Sequence, residues 1–177
     1  MGVRAVAFGL LFLGEMLFGG DTLFFSDAWG EESYTWTQVY RQIAQDFPSV
    51  REITTTELHQ RLQREDVVII DVRTTEEFQV SHLKSAKHYT ALAEIIKDYR
   101  ADQEVVVYCS VGYRSAKIVQ ALQNHGFENV YNLRGSIFMW ANQAYPVYQA
   151  HKEVFKVHPY NSVWGLLLKG QYHAYTP

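Results

Sequence analysis

The sequence predicts an α/β fold, a parallel sheet flanked by helices on both faces. Three observations predict it. Val67-Val68-Ile69-Ile70 and Val105-Val106-Val107-Tyr108 are short, continuous, mostly β-branched runs, which suit strands buried on both faces. Stretches of helical periodicity lie between and after them. Thr54 with Glu57, and Thr74 with Glu77, repeat a capping-box pattern that marks helix starts. Strands alternating with helices imply parallel pairing.

The elements follow in order. Residues 29–33 read as a linker. Trp36, Val39, Tyr40, Ile43 and Phe47 recur at helical spacing, giving an amphipathic helix that Phe47-Pro48 ends. Residues 51–53 form a short strand, and the helix capped by Thr54 carries Leu58 and Leu62 on one face. After the Val67 run, Thr74 opens another helix; Leu92, Ile95, Ile96 and Tyr99 mark the next. After the Val105 run, residues 114–125 form a helix with Ala116, Val119 and Leu122 inward, and Gly126 sits where a C-terminal cap belongs. Val130-Tyr131 starts a last short strand and residues 137–144 a closing helix. The organisation is therefore a leader over residues 1–28, a linker and amphipathic helix over 29–49, the compact domain over 50–149 and a tail over 150–177. The tail's cluster Val163-Trp164-Gly165-Leu166-Leu167-Leu168 is expected to pack on the domain's own surface; the sharper alternative is contact with a partner protein or membrane.

A chain of 177 residues, 47% of them hydrophobic and 15% aromatic, can bury the core of one such domain. A formal net charge of −3 offers no electrostatic case for binding nucleic acid. Residues 3–25 are almost all apolar or Gly, interrupted by Glu15 and Asp21, and Ser26-Asp27-Ala28 places small residues before a possible cut at Trp29. That reads as a secretory signal. The rival is an uncleaved membrane anchor, against which Glu15 costs about 2.5–3.5 kcal/mol. A buried core helix is the third reading, weakened by the glycines of the stretch. Either of the first two places the domain outside the cytoplasm, with the membrane involved only if the leader is retained.

Cys109 is the chain's one cysteine. An internal disulfide is thereby excluded, as are zinc sites built from several thiolates. No H-E-x-x-H pair, G-x-S-x-G elbow or P-loop occurs. The informative segment is Tyr108-Cys109-Ser110-Val111-Gly112-Tyr113-Arg114-Ser115, between a buried strand and a helix. Parallel sheets bind ligands beyond the carboxyl ends of their strands. Loop amides, the helix amino terminus and the Arg114 cation all favour the thiolate. Gly112 permits φ > 0, which lets successive N–H groups converge. The product is an anion cradle with a nucleophile at its base.

Cys109-Ser110-Val111-Gly112-Tyr113-Arg114-Ser115 resembles the active-site loop of single-domain rhodanese-like sulfurtransferases, of the form C-x-x-G-x-R-S. Asp71-Val72-Arg73 with Glu77-Phe78 and Ser81-His82-Leu83 is similar to that family's D-V-R…E-F…H-I stretch. Gly126-Phe127-Glu128-Asn129-Val130 is similar to its G-F-x-N-V, and Leu133-Arg134-Gly135-Ser136-Ile137 with Trp140 and Tyr145-Pro146-Val147 to its closing L-x-G-G…W…P-V. Ser85 and Ser136 stand where the family usually has Gly, and His88-Tyr89 where it commonly has N-I-P. The resemblance implies a rhodanese-like domain and sulfur transfer through a Cys109 persulfide. The sulfur comes from a small anionic donor such as thiosulfate and goes to cyanide, a thiol or a protein acceptor, with no metal or other cofactor. Ser110, Val111, Gly112, Tyr113, Arg114 and Ser115 would bind the substrate anion. Asp71 and Arg73 would support the site as an ion pair or loop tether. Two other functions stay open: a sulfur carrier or redox-sensing module without turnover, and a cysteine phosphatase or arsenate reductase. The last use C-x-x-x-x-x-R, with five residues between Cys and Arg; here there are four, a smaller cradle.

Overall fold

The computed structural model describes residues 34–63 and 67–177. The leader reading of residues 1–28 and the linker reading of residues 29–33 lie outside the described residues. The chain runs through α1 (Trp36–Asp46), β1 (Glu52–Ile53), α2 (Thr55–Arg61), β2 (Val68–Asp71), α3 (Thr75–Val80), β3 (Lys87–His88), α4 (Leu92–Asp98), β4 (Val105–Tyr108), α5 (Tyr113–Asn124), β5 (Val130–Leu133) and α6 (Ser136–Asn142). The five strands form one sheet in the order β1-β5-β4-β2-β3, every pairing parallel. β4 lies at its centre.

Side chains alternate across the sheet, so its two faces build two cores. Ile69, Val106 and Tyr108 face one side, against Val39 and Ile43 of α1, Leu58 of α2 and Ile137, Phe138 and Trp140 of α6. Ile70, Val105 and Val107 face the other, against Ile95 of α4 and Val119 and Leu122 of α5. Burial on both faces is why β2 and β4 carry apolar runs rather than alternation. Both expected capping boxes form: the Thr54 and Thr74 side chains accept from the N–H groups of Glu57 and Glu77, whose carboxylates accept in return from the cap N–H. Gly126 leaves α5 at φ +87°.

Two features depart from the sequence reading. β3 is an edge strand of two residues, Lys87–His88, without a β-branched side chain to signal it. The strand at Val130 closes the parallel sheet but is not the last of the chain, because β6 (Val147–Gln149) and β7 (Lys152–Val154) form an antiparallel hairpin after it. Its turn is Ala150-His151, with Ala150 at φ +52°, and neither residue announces a hairpin as Asn-Gly does.

The segments flanking the sheet share its core. Val157, Leu167 and Leu168 of the tail are buried in the same cluster as Val39, Ile43 and Val106. Asn142 of α6 ties the tail down: its Nδ2 donates to the Leu167 carbonyl at 2.7 Å and its Oδ1 accepts from the Lys169 N–H at 2.9 Å. α7 (Ser162–Gly165) follows, capped by the Asn161 side chain, and Trp164 stacks on Tyr34 with ring centroids 4.7 Å apart.

Candidate active site

β4 ends at Tyr108 and α5 begins at Tyr113, so residues 109–112 form a tight turn at the carboxyl edge of the central strand. The turn's outward geometry is set from α6. The N–H groups of Ile137 and Phe138 donate to the carbonyls of Cys109 and Ser110, at 3.2 and 3.1 Å. The Cys109 N–H is taken by the Ser136 Oγ, and the Gly112 N–H points to the thiol. Gly112 takes φ +113°, and a Cβ there would sit 3.3 Å from Ile43 of α1, so both conformation and space call for glycine.

Cys109 is buried, and its Sγ accepts from the Gly112 N–H at 3.2 Å. The Ser115 Oγ lies 3.6 Å from the sulfur, but its single proton has a nearer acceptor in Asn132 Oδ1 of β5, at 2.6 Å. Burial pushes the thiol up, yet the Arg114 cation, the Ser115 N–H and the Gly112 N–H act against it, and Cys109 is held below the ordinary thiol range.

Arg114 is half-buried, with Nη1 and Nη2 donating to the two carboxylate oxygens of Glu77 at 2.9 and 2.8 Å. Nη2 also donates to Ser110 Oγ at 2.9 Å, and Ser110 Oγ in turn donates to Glu77 Oε1 at 2.7 Å. Burial raises the Glu77 carboxyl, but the fork from Arg114, with help from Arg73 and the Thr74 N–H, overrides it and holds Glu77 down at about 2. Asp71 and Arg73 form a second pair with no solvent exposure, Nη2 to Oδ2 at 2.7 Å, and Arg73 Nη2 also donates to the Ser81 carbonyl at 2.6 Å. This pair locks the end of β2 to the turn after α3, beside the site rather than in it.

The sequence-derived residues therefore gather unevenly. Gly112 and Ser115 meet the Cys109 sulfur, and Ser110 and Arg114 join beside it on Glu77. Val111 is buried in the core. The Tyr113 side chain turns away, its hydroxyl donating to Asp46 of α1 at 2.7 Å and its ring set edge-on against Phe47. Three participants escape sequence reasoning. Glu77 reads as a helix cap and as one residue of the E-F motif, with no role at the site. Asn132 is detectable only as a polar residue inside an apolar strand. Ser136, whose Oγ accepts from the Cys109 N–H at 3.1 Å, reads as a lapse from glycine. Beside Arg114, a groove of about 220 Å³ opens between Val72, Tyr89, Leu92, Ile95 and Lys117.

The family model for the rhodanese-like domain matches residues 54–143. The chain belongs to that family. Thiosulfate sulfurtransferase GlpE of Glaesserella parasuis serovar 5 is 32% identical over 98 residues, spanning 54% of this chain and 91% of its relative. A sulfurtransferase of Allochromatium vinosum is 35% identical over 105 residues, spanning 55% of this chain and 94% of its own length. The solution structure of a rhodanese-like domain from Anabaena shares the fold at 19% identity, with a TM-score of 0.51 over 59% of this chain and 80% of that one.

Within this rhodanese-like domain the two departures from glycine prove to be conformational. Ser85 adopts φ +61° and Ser136 φ +48°, so both serines occupy left-handed backbone that glycine takes without strain. His88, at the other departure, bonds through Nε2 to the Arg73 carbonyl at 2.8 Å and stacks on Phe78, filling the space beside the Asp71–Arg73 lock.

Proposed function

We propose that the protein is a sulfurtransferase that carries sulfane sulfur on Cys109. The observation that carries this reading is the sulfur at the head of α5, receiving the Gly112 N–H with the Arg114 cation beside it. The Cys109 thiolate attacks the outer sulfur of a donor such as thiosulfate. The S–S bond of the donor breaks with its electron pair going to sulfite, and the new S–S bond leaves a Cys109 persulfide. An acceptor thiolate or cyanide then attacks the outer sulfur, and the pair of the Cys109 S–S bond returns to Cys109 as thiolate. No oxidant or reductant enters. The amides of residues 110–115 stabilise sulfur-centred charge as an oxyanion hole does for oxygen. The two sulfurtransferase relatives support the same reading. The apolar leader supports an exported location, which the mass of the amino terminus of purified chain would test.

Intact-mass measurement after thiosulfate treatment tests the chemistry. The wild-type chain is expected to gain one sulfur atom and to release thiocyanate with cyanide, and Cys109→Ser to do neither. A wild type that gains no sulfur, or a Cys109→Ser variant as active as wild type, overturns the proposal.

A further inference from the structure

The family match ends at residue 143, yet a residue beyond it reaches the site. The Arg114 guanidinium lies over the Tyr160 ring, 4.7 Å from its centroid. Its edge is engaged by Glu77 and Ser110, and the ring lies over its face. We propose that Tyr160, contributed by the C-terminal segment, is a positioning residue that fixes the Arg114 guanidinium beside Cys109. It deepens the sulfurtransferase reading, on which its use in catalysis rests.

The backbone supports this assignment. Tyr160 stands at φ +66°, a conformation that a bulky residue adopts only when its surroundings over-determine it, and such outliers gather at functional sites. Here the surroundings are explicit. The Tyr160 N–H donates to His158 Nδ1 at 3.1 Å. Pro159 is buried against Gly165, where an added Cβ would meet the proline ring carbon at 3.0 Å. Val157 pairs with His173, whose Nε2 reaches the carbonyls of Gly165 and Leu168 at 3.1 and 3.0 Å. A glycine at 160 would relieve the strain and lose the ring, so the ring is what the strained backbone keeps.

Electrostatics gives the ring a purpose. Glu77 from α3 draws on the Arg114 charge, Arg73 lies behind Glu77, and His158 of the tail faces the same cluster. A guanidinium held only along its edge is free to tilt and to hydrate its open face, and its attraction for the thiolate weakens as the local dielectric rises. A ring on that face excludes water and keeps the cation in plane.

Because Cys109 is the only cysteine of the 177 residues, alkylation of the full chain reads its ionisation without interference. The rate of iodoacetamide labelling is followed against pH in wild type and in Tyr160→Phe, Tyr160→Leu and Tyr160→Gly. The midpoint reports the thiol, whereas the plateau also reports access. Phe keeps the ring and is expected to keep the wild-type midpoint. Leu and Gly are expected to move it upward, lowering the thiolate fraction well below the midpoint about twofold or more, with the tenfold that a whole cation–π contact of this kind supplies as the ceiling. Gly adopts the positive φ without strain, so this ringless variant is expected to fold even if Leu does not. Midpoints equal in all four proteins overturn the proposal, as does a Phe variant shifted as far as Leu and Gly. Failure of wild type to take up sulfur counts against sulfur transfer alone and leaves these midpoints to decide the role of Tyr160.

Discussion

Glu77 does three things with one carboxylate: it closes the capping box of α3, forks Arg114 and accepts from Ser110. Its carboxyl is held down at about 2 against an ordinary value of 4.5. A depressed carboxyl stabilises the fold above its unfolded value and loses that contribution as pH falls through the folded one. Glu77→Gln is therefore expected to cost about 3 kcal/mol at neutral pH. By pH 2 the gap should shrink to under about 1 kcal/mol, since wild type is then about half protonated and the unfolded chain almost fully so. Urea denaturation at the two pH values checks it, and an equal deficit at both would show that shape rather than charge is lost. At this scale the sequence revealed what is contiguous in it. Cys109, Gly112 and Arg114 announce themselves because strand, turn and helix head are consecutive. Glu77 lies 37 residues from Arg114, and nothing in a Thr-x-x-Glu cap tells which cation its second oxygen will meet.

Among the elements, the two serines in left-handed backbone test how much of that conformation is tolerated and how much is used. Ser85 is exposed in the turn before β3 and makes no side-chain hydrogen bond among the described residues. Ser136 is buried at the start of α6, where its Oγ donates to the Leu133 carbonyl at 3.1 Å and accepts from Cys109. Ser85→Gly is expected to stabilise by about 0.5 kcal/mol, the relief of left-handed strain less the entropy of glycine. Ser136→Gly is expected to destabilise by about 1 kcal/mol, because a buried N–H and C=O lose their partner. Thermal melting of the two variants in opposite directions is the outcome to look for; shifts of the same sign would contradict it. The helix capped by Thr54 was legible because the Leu58–Leu62 spacing and the cap agree, and that capped by Thr74 from its capping box alone. β3, β6 and β7 were not, since two- and three-residue strands owe their existence to neighbours rather than to propensity.

For the molecule as a whole, the flanks matter as much as the shared domain. Leu168 is 3% exposed, in one cluster with Val39 of α1 and Val106 of the central strand. Leu168→Ala is expected to destabilise by about 2–4 kcal/mol and to leave a single unfolding transition followed alike by near-ultraviolet and far-ultraviolet circular dichroism. Two separate transitions would mean that the tail folds apart from the sheet. The α/β layering was plain in the sequence because it rests on two apolar runs. The tail's docking was legible only as apolar content, which does not say where it lands. Tyr160 on Arg114 has a consequence for the order of synthesis. The ribosome releases α1, the sheet and the nucleophile before it releases the residue that covers the Arg114 face, so a growing or truncated chain can hold the whole rhodanese-like domain and still lack the finished surroundings of its thiol. The site is completed by a residue made some fifty positions after its nucleophile.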